Sequence, residues 1–326
     1  FGSSHFGSRF SADQWKREVV PDCRRPEPRH FTTLSTTDAM GSCQCVPSRS
    51  EAIPQKTQKA AMNGPNGKES GLSFVPFSAA GAALEVSARA MCGTRTTAAE
   101  ALTSWVVSTG ALADVENPER LEVFRWLAAI CVDMQWRHSS TTFCLGGVHD
   151  GELGAICLVY PMYHGYAAEH GFFSEALPFL SIASMLATGK TPATVTGNRE
   201  WRRGFLPKLL GKGGLDNKTK EGHKKHAAGP HYYISLMMVD PSFQGKGLCG
   251  RLMRAACRAA DADGLPTYLE TGGERNVAVY KRFGFEVVEQ LSLSAEGFES
   301  YDEMFLMVRP AATGDSGAQE SAIMGS

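Results

Sequence analysis

Met237-Met-Val-Asp240-Pro-Ser-Phe-Gln244-Gly-Lys-Gly247-Leu-Cys-Gly250-Arg-Leu-Met253 is the stretch from which the fold can be read. An apolar strand ends at Val239 and a proline-bearing loop turns the chain. Glycines at 245, 247 and 250 then open a helix. Glycine lets backbone come close to a ligand and take conformations closed to other residues. The unpaired N–H groups and positive dipole end of such a helix suit a pyrophosphate.

Gly245-Lys-Gly-Leu-Cys-Gly250 also satisfies the GxGxxG of a dinucleotide-binding turn, with Glu270 downstream where an acidic residue is wanted. Against that, Asp240-Pro-Ser-Phe-Gln244 separates strand from glycine, where a dinucleotide turn follows its strand almost directly. The chain after Phe285 is too short to complete a doubly wound sheet. A P-loop is excluded: Gly189-Lys190-Thr191 has Ser184 at the first glycine position and a helical pattern before it.

The stretch resembles the Gln/Arg-x-x-Gly-x-Gly/Ala signature of the GCN5-related N-acetyltransferases (GNAT). Leu269-Glu-Thr-Gly-Gly-Glu-Arg-Asn276-Val-Ala-Val-Tyr280-Lys-Arg-Phe-Gly284-Phe285 resembles that family's second cofactor motif. Cys249 departs from the pattern, standing where Gly or Ala is usual; the backbone N–H, not the side chain, is what matters there. The resemblance covers residues 231–290. It implies an α/β domain with a mixed, largely antiparallel sheet flanked by helices, and acetyl-CoA as cosubstrate, with no metal. It further implies pantetheine along Met237, Met238 and Val239, and diphosphate on the N–H groups of Gln244, Gly245, Lys246, Gly247, Leu248, Cys249 and Gly250. Asn276 would hold the cofactor and Tyr280, four residues on and on the same helix face, would donate to the departing sulfur.

An attacking amine must lose a proton. Glu270, on the strand beside the cofactor, is the first candidate for accepting it, and His231, at the start of the cofactor strand, the second. A water chain without a dedicated base is the third. Lys208, Lys212, Lys218, Lys220, Lys224 and Lys225, with His223 and His226, form a basic run that reads best as a solvated helix and loop. Tyr160, Tyr163, Tyr166, Phe172 and Phe173 line an acceptor pocket or fill core; spacing does not decide.

Outward from these motifs, residues 1–70 and 311–326 are polar and aperiodic and are expected to be disordered tails around one domain over 71–310. Within it, the patterns predict a strand at Leu72–Phe77 and a helix capped by Ser78. A capping box at Thr97-Ala-Ala-Glu100 and a helix opening at Asn117-Pro118 follow. A hairpin about Asp150-Gly151 comes next, then helices over Phe172–Leu186 and within Trp201–His226, and a strand at His231–Val239. A helix runs from Gly247 to Asp263, then a strand at Thr267–Thr271 and a helix at Asn276–Phe283 capped by Gly284. Strands at Phe285–Leu293 and Met304–Val308 close the chain.

Net charge -1 and pI near 6.8 give no global pull toward nucleic acid or anionic membrane. No apolar run approaches the roughly 18 residues of a membrane helix. The nine cysteines are scattered, Cys43 and Cys45 too close for a zinc CxxC, which fits a reducing compartment. A cytoplasmic protein is expected, with any targeting peptide lying upstream of Phe1. The acceptor is a small-molecule amine or a peptide or protein lysine; no bromodomain-like or nucleic-acid-binding appendage is seen, which favours the small molecule. Two other readings stand beside this one: an NAD(P)-binding oxidoreductase, and an acyl-CoA-binding module without catalysis.

Overall fold

Asp150 and Gly151 take φ of 52° and 85°, the left-handed pair that a two-residue hairpin turn demands. They join β2 (Phe143–His149) to β3 (Glu152–Met162) in a computed structural model that describes residues 54–64, 67–94, 101–107, 110–138, 141–169, 187, 190–197 and 199–312. With β1 (Leu72–Val75), β4 (His231–Val239), β5 (Thr267–Gly272), β6 (Glu286–Leu293) and β7 (Tyr301–Arg309) they form one seven-stranded sheet. Its order is β1-β2-β3-β4-β5-β7-β6. Every neighbouring pair is antiparallel except β4 and β5. That mixed, largely antiparallel sheet is the expected fold class, and the antiparallel pairings exclude the doubly wound parallel alternative.

Helices cover both faces. On one lie α2 (Ala80–Cys92) and α4 (Pro118–His138), packed on Ile156, Leu158 and Tyr160 of β3. The intervening Ala155, Cys157 and Val159 face α7 (Leu248–Asp263), whose Leu248, Leu252, Ala256 and Ala259 are buried. Period-two alternation thus splits β3 between two cores, and so the strand is apolar throughout. Helix α3 (Ala101–Val107), helices α5 (Arg199–Leu210) and α6 (Leu215–His226), and the terminal α8 (Glu274–Lys281) complete the layers. Gly264 and Gly284, at φ 66° and 83°, end α7 and the turn after α8 in the left-handed conformation.

Several boundaries move. Helix α1 (Gln55–Met62), inside the stretch expected to be tail, seats Thr57 and Ala61 fully buried against α7. Arg258 donates to the carbonyls of Ala60 (3.1 Å) and Ala61 (2.9 Å) and to Glu69 (2.8 Å). Thr57, Tyr163 and Tyr232 all donate to Asp263, at 3.2, 2.9 and 2.6 Å. The expected boundary at residue 70 was wrong for this segment because its apolar residues are too few to show a period; the docking is made by Arg258 and Asp263, about 200 positions away. The rest of the expected tails at 1–53, 65–66 and 313–326 lies outside the described residues, as do Thr97–Glu100 and the whole of the helix expected over Phe172–Leu186, with Phe172 and Phe173. Ser78 does not cap α2: the helix opens after a 3-10 turn at Phe77–Ala79 with no side-chain cap. Asn117 does cap α4, its Oδ1 accepting from the Glu119 N–H at 2.9 Å.

A chain beginning at residue 71 should therefore be less stable than one beginning at residue 54, by about 2–4 kcal/mol for the lost burial and hydrogen bonds. Urea denaturation of the two truncations checks this, and equal midpoints would return α1 to the status of a tail.

Candidate active site

Strand β4 is paired with β3 as far as Val239, opposite Ala155. With β5 it pairs only at Tyr232–Thr267, Tyr233–Tyr268 and Ile234–Leu269. Beyond Ile234 the two parallel strands diverge, so the β5-facing edge of Ser235–Val239 carries backbone groups not taken up by the sheet. At that point Leu158 is opposite Leu236 while Val159 is opposite Ile234, making Ser235 the extra residue of a β-bulge. The bulge reverses parity: Tyr232 and Ile234 face the α7 core, Leu236 and Met238 the α2/α4 core. Met237 and Val239, half-buried, lie toward α7 with the glycine loop that follows.

That loop is bolted to β3. The Asp240 N–H donates to the Gly154 carbonyl at 2.9 Å. Its buried carboxylate accepts from the Ser242 N–H at 2.9 Å and its hydroxyl at 2.5 Å, and pairs with Arg89 at 2.7 Å. Phe243 lies so close to Gly154 that a Cβ there would sit 2.4 Å from the ring. Past this anchor Gln244, Gly245, Lys246 and Gly247 are exposed. Gly245 and Gly247 have φ of 78° and 73°, and a Cβ on either would meet nothing within 4 Å: their glycines serve conformation and open approach, not internal packing. Gly247 is the N-cap of α7 and offers no side-chain cap. Leu248, Cys249 and Gly250 are therefore first-turn residues whose N–H groups have no carbonyl within the helix to reach. Cys249 is half-buried and burial raises its thiol, which keeps it from acting as a thiolate.

The opposite wall is β5 and α8. The Asn276 amide donates to the Gly272 carbonyl at 2.9 Å, tying the first turn of α8 to the end of β5. Tyr280 is buried on the α7 side, its ring edge-on to Phe285 at 6.1 Å. Glu270 points the other way, toward α6. Tyr233 donates to its Oε2 at 2.6 Å, and its Oε1 is buried without a hydrogen-bond partner, 3.9 Å from His223 Nδ1. Burial pushes the Glu270 carboxyl up to about 7, against the lowering by the Tyr233 and Tyr268 hydroxyls. Burial, then the Glu270 charge, raises the Tyr233 phenol well above its usual range.

His231 is buried, with Nδ1 on the Gly229 carbonyl at 2.7 Å and Nε2 on His223 Nε2 at 2.8 Å. Both ring nitrogens of His231, the second candidate for accepting the amine's proton, are engaged internally. Burial lowers its pKa, the Gly229 bond opposing. The pattern reading missed His223, hidden in the basic run, and Tyr233 and Tyr268 as partners of Glu270. Gly222 was the available signal, since a Cβ there would strike Leu306 at 2.2 Å, marking the inward face of α6. The lysines of the run are largely accounted for: Lys220 pairs with Asp216, Lys218 with Glu221 and Lys225 with Glu289, while Lys208 is buried against Trp105 and Phe298. Among the described residues no three His, Cys, Asp or Glu side chains are grouped to hold a metal, and no helix is long and apolar enough to cross a membrane.

Residues 200–285 match the family model described as the acetyltransferase (GNAT) family. An uncharacterised N-acetyltransferase of Schizosaccharomyces pombe is 29% identical over 126 residues, 39% of this chain and 47% of the relative, so the chain spans about half the length of that relative. Among solved structures, a histone acetyltransferase HPA2 and related acetyltransferase from Corynebacterium glutamicum aligns at 14% identity over 75% of this chain and 97% of that one, with TM-score 0.43. The ribosomal-protein-S18-alanine N-acetyltransferase from Escherichia coli aligns at 10% identity over 75% and 96%, with TM-score 0.37. The family match thus spans the strand, glycine loop and helix described above, and over that stretch the chain is similar to the GCN5-related N-acetyltransferases.

Proposed function

We propose that the protein transfers an acetyl group from acetyl-CoA directly to an amine, the acceptor being a small molecule. The observation that carries this is the divergence of β4 from β5 beside an uncapped, glycine-opened helix. The open edge of Ser235–Val239 suits the amides of a pantetheine arm, which would pair as an added strand does. The N–H groups of Gly245 and of Gly247 to Gly250 suit the diphosphate, those of Gln244 and Lys246 being turned to the Pro241 and Phe243 carbonyls, with Met237, Met238, Val239, Gln244, Lys246, Leu248, Cys249 and Asn276 lining the same path. When bound, acetyl-CoA supplies the thioester carbonyl and a thiolate leaving group.

Glu270 takes the proton that frees the amine lone pair, and its carboxyl near pH 7 suits that work. The Tyr280 hydroxyl gives a proton to the departing sulfur. The two side chains belong to opposite faces of the sheet, so acceptor and cofactor enter from different sides and transfer needs no enzyme-bound acetyl group. The rings of Tyr233 and Tyr268 beside Glu270, 5.8 Å apart, favour a compact amine over an extended peptide. The free cysteines among the described residues fit a reducing, cytoplasmic setting.

A thiol-release screen of small amines and lysine peptides tests the activity: turnover with acetyl-CoA is expected for a small amine, and no calorimetric binding of any CoA thioester by folded protein would end the proposal. Binding without turnover on any amine would instead support the non-catalytic module. With the amine so found, kcat/KM should rise with pH through about 7 as Glu270 ionises, and Glu270→Gln should lower it about 100-fold and abolish that limb. Tyr280→Phe should lower kcat about 10- to 100-fold with acetyl-CoA affinity nearly unchanged; an equal loss of affinity would make Tyr280 a packing residue.

A further inference from the structure

Helix α7 carries arginines at 251, 254 and 258. Steps of three and four residues bring them onto one face of the helix, each a turn above the last. Like charges so spaced repel, and a carboxylate is needed to offset them. Among the described residues one does so: Glu69, between α1 and β1, lies 2.8 Å from Arg258 Nη2 and 3.4 Å from Arg254 Nη2. Arg251 is held by carbonyls instead. Its Nη1 donates to Ser70 at 3.4 Å and its Nη2 to Lys246 at 3.2 Å. Gly71 makes room for that guanidinium, since a Cβ there would sit 2.6 Å from Nη1.

Two of these arginines border the first turn of α7. Helical side chains lean toward the N-terminus, so residues of the second turn reach the first. Arg251 touches the glycine loop through the Lys246 carbonyl. Arg254 folds back until its Nη1 lies 3.4 Å from where a Cβ on Gly250 would be. Its side chain is 52% exposed, and its contact with Glu69 is at the long end of hydrogen bonding. Arg251 uses two of the five N–H groups of a guanidinium. Lys246, exposed in the loop, adds a further cation. Positive charge thus collects at one end of α7 in a chain whose net charge is -1.

The N–H groups and dipole of the turn already suit a diphosphate. The surplus of arginine suits something more: a phosphomonoester, which carries about 1.5 to 2 negative charges at pH 7 and three acceptor oxygens. We propose that Arg251 and Arg254 bind the third phosphate of the cofactor, the monoester on the ribose of coenzyme A, and so select phosphorylated over dephosphorylated CoA thioesters. The inference rests on the reading of the α7 turn as the diphosphate seat. Arg254 is the partner that moves, exchanging its long contact with Glu69 for a doubly charged oxyanion. Glu69 keeps its closer bond to Arg258. Arg251 is the fixed partner, seated between Ser70 and Lys246 before the ligand arrives.

Calorimetry of the full chain with acetyl-CoA and with acetyl-dephospho-CoA tests this without turnover. Acetyl-CoA is expected to bind about tenfold tighter, with the preference shrinking as salt is added. Arg254→Gln should reduce the ratio to about twofold, chiefly by weakening acetyl-CoA. Arg251→Gln should narrow it likewise; should that variant fail to fold for want of its bond to Ser70, the exposed Arg254 carries the test. Equal affinity for the two thioesters in the full chain, or a preference untouched by Arg254→Gln, overturns the proposal and leaves the diphosphate reading standing. Failure of the folded protein to bind either thioester ends both.

Discussion

The parting of β4 from β5 after Ile234 and Leu269 is the constraint on which the rest of the molecule depends. A parallel pair can diverge only if each strand is held on its other side. Here β3 holds β4 to Val239, and β7 holds β5 from Thr267 to Gly272. The Ser235 bulge adds local twist where the divergence begins. Strand edges are ordinarily covered or charged, because free N–H and C=O groups recruit other strands. An interior edge opened in the middle of a sheet is protected from that hazard by its own narrowness and stays available to an extended ligand.

The glycine loop extends the same logic. Gly245 and Gly247 are left-handed and open, so the loop would be mobile if nothing restrained it. The restraint is placed just before them, in Asp240 on Gly154, Ser242 and Arg89, and in Phe243 seated on Gly154. A rigid anchor followed by permissive residues sets the direction of the α7 N-terminus while leaving its first N–H groups uncovered. The bidentate Arg309–Asp261 bridge, at 2.6 and 2.8 Å, ties the far end of α7 to β7. The helix is thus held at both ends against strands on either side of the cleft.

Much of this was legible in sequence, and the pattern of success has a physical cause. The strand–loop–helix at Met237–Met253, the hairpin at Asp150-Gly151 and the Asn276–Tyr280–Gly284 run all depend on short-range backbone geometry, which few residue types satisfy. What escaped depends on long-range packing. His231–Val239 is apolar at nearly every position because it is buried on both faces, so the parity change at Ser235 left no trace in the pattern. Helix α6 reads as a basic surface because ten of its twelve residues are not buried; only Gly222 and His223 turn inward. Helix α1 has a mean composition like any polar tail, and only Arg258 and Asp263 on α7 make it part of the domain.

Glu270 is the residue whose environment least resembles a stability optimum. Its ionised form is buried, with one oxygen on Tyr233 and the other facing His223. A carboxyl raised from 4.5 to about 7 stays protonated in the fold over a range where the unfolded chain has already lost the proton. The contribution of Glu270 to stability is therefore full below pH 4.5 and is lost as pH rises toward 7, a difference on the order of 3 kcal/mol. Glutamine at this position would avoid that cost and keep the shape. A fold that instead keeps a carboxyl here, turned toward α6 and set among rings and an imidazole, gives up stability for a group that exchanges protons near neutrality. That trade suits the base proposed above, since a carboxyl poised near neutrality is of use to proton transfer and of none to packing.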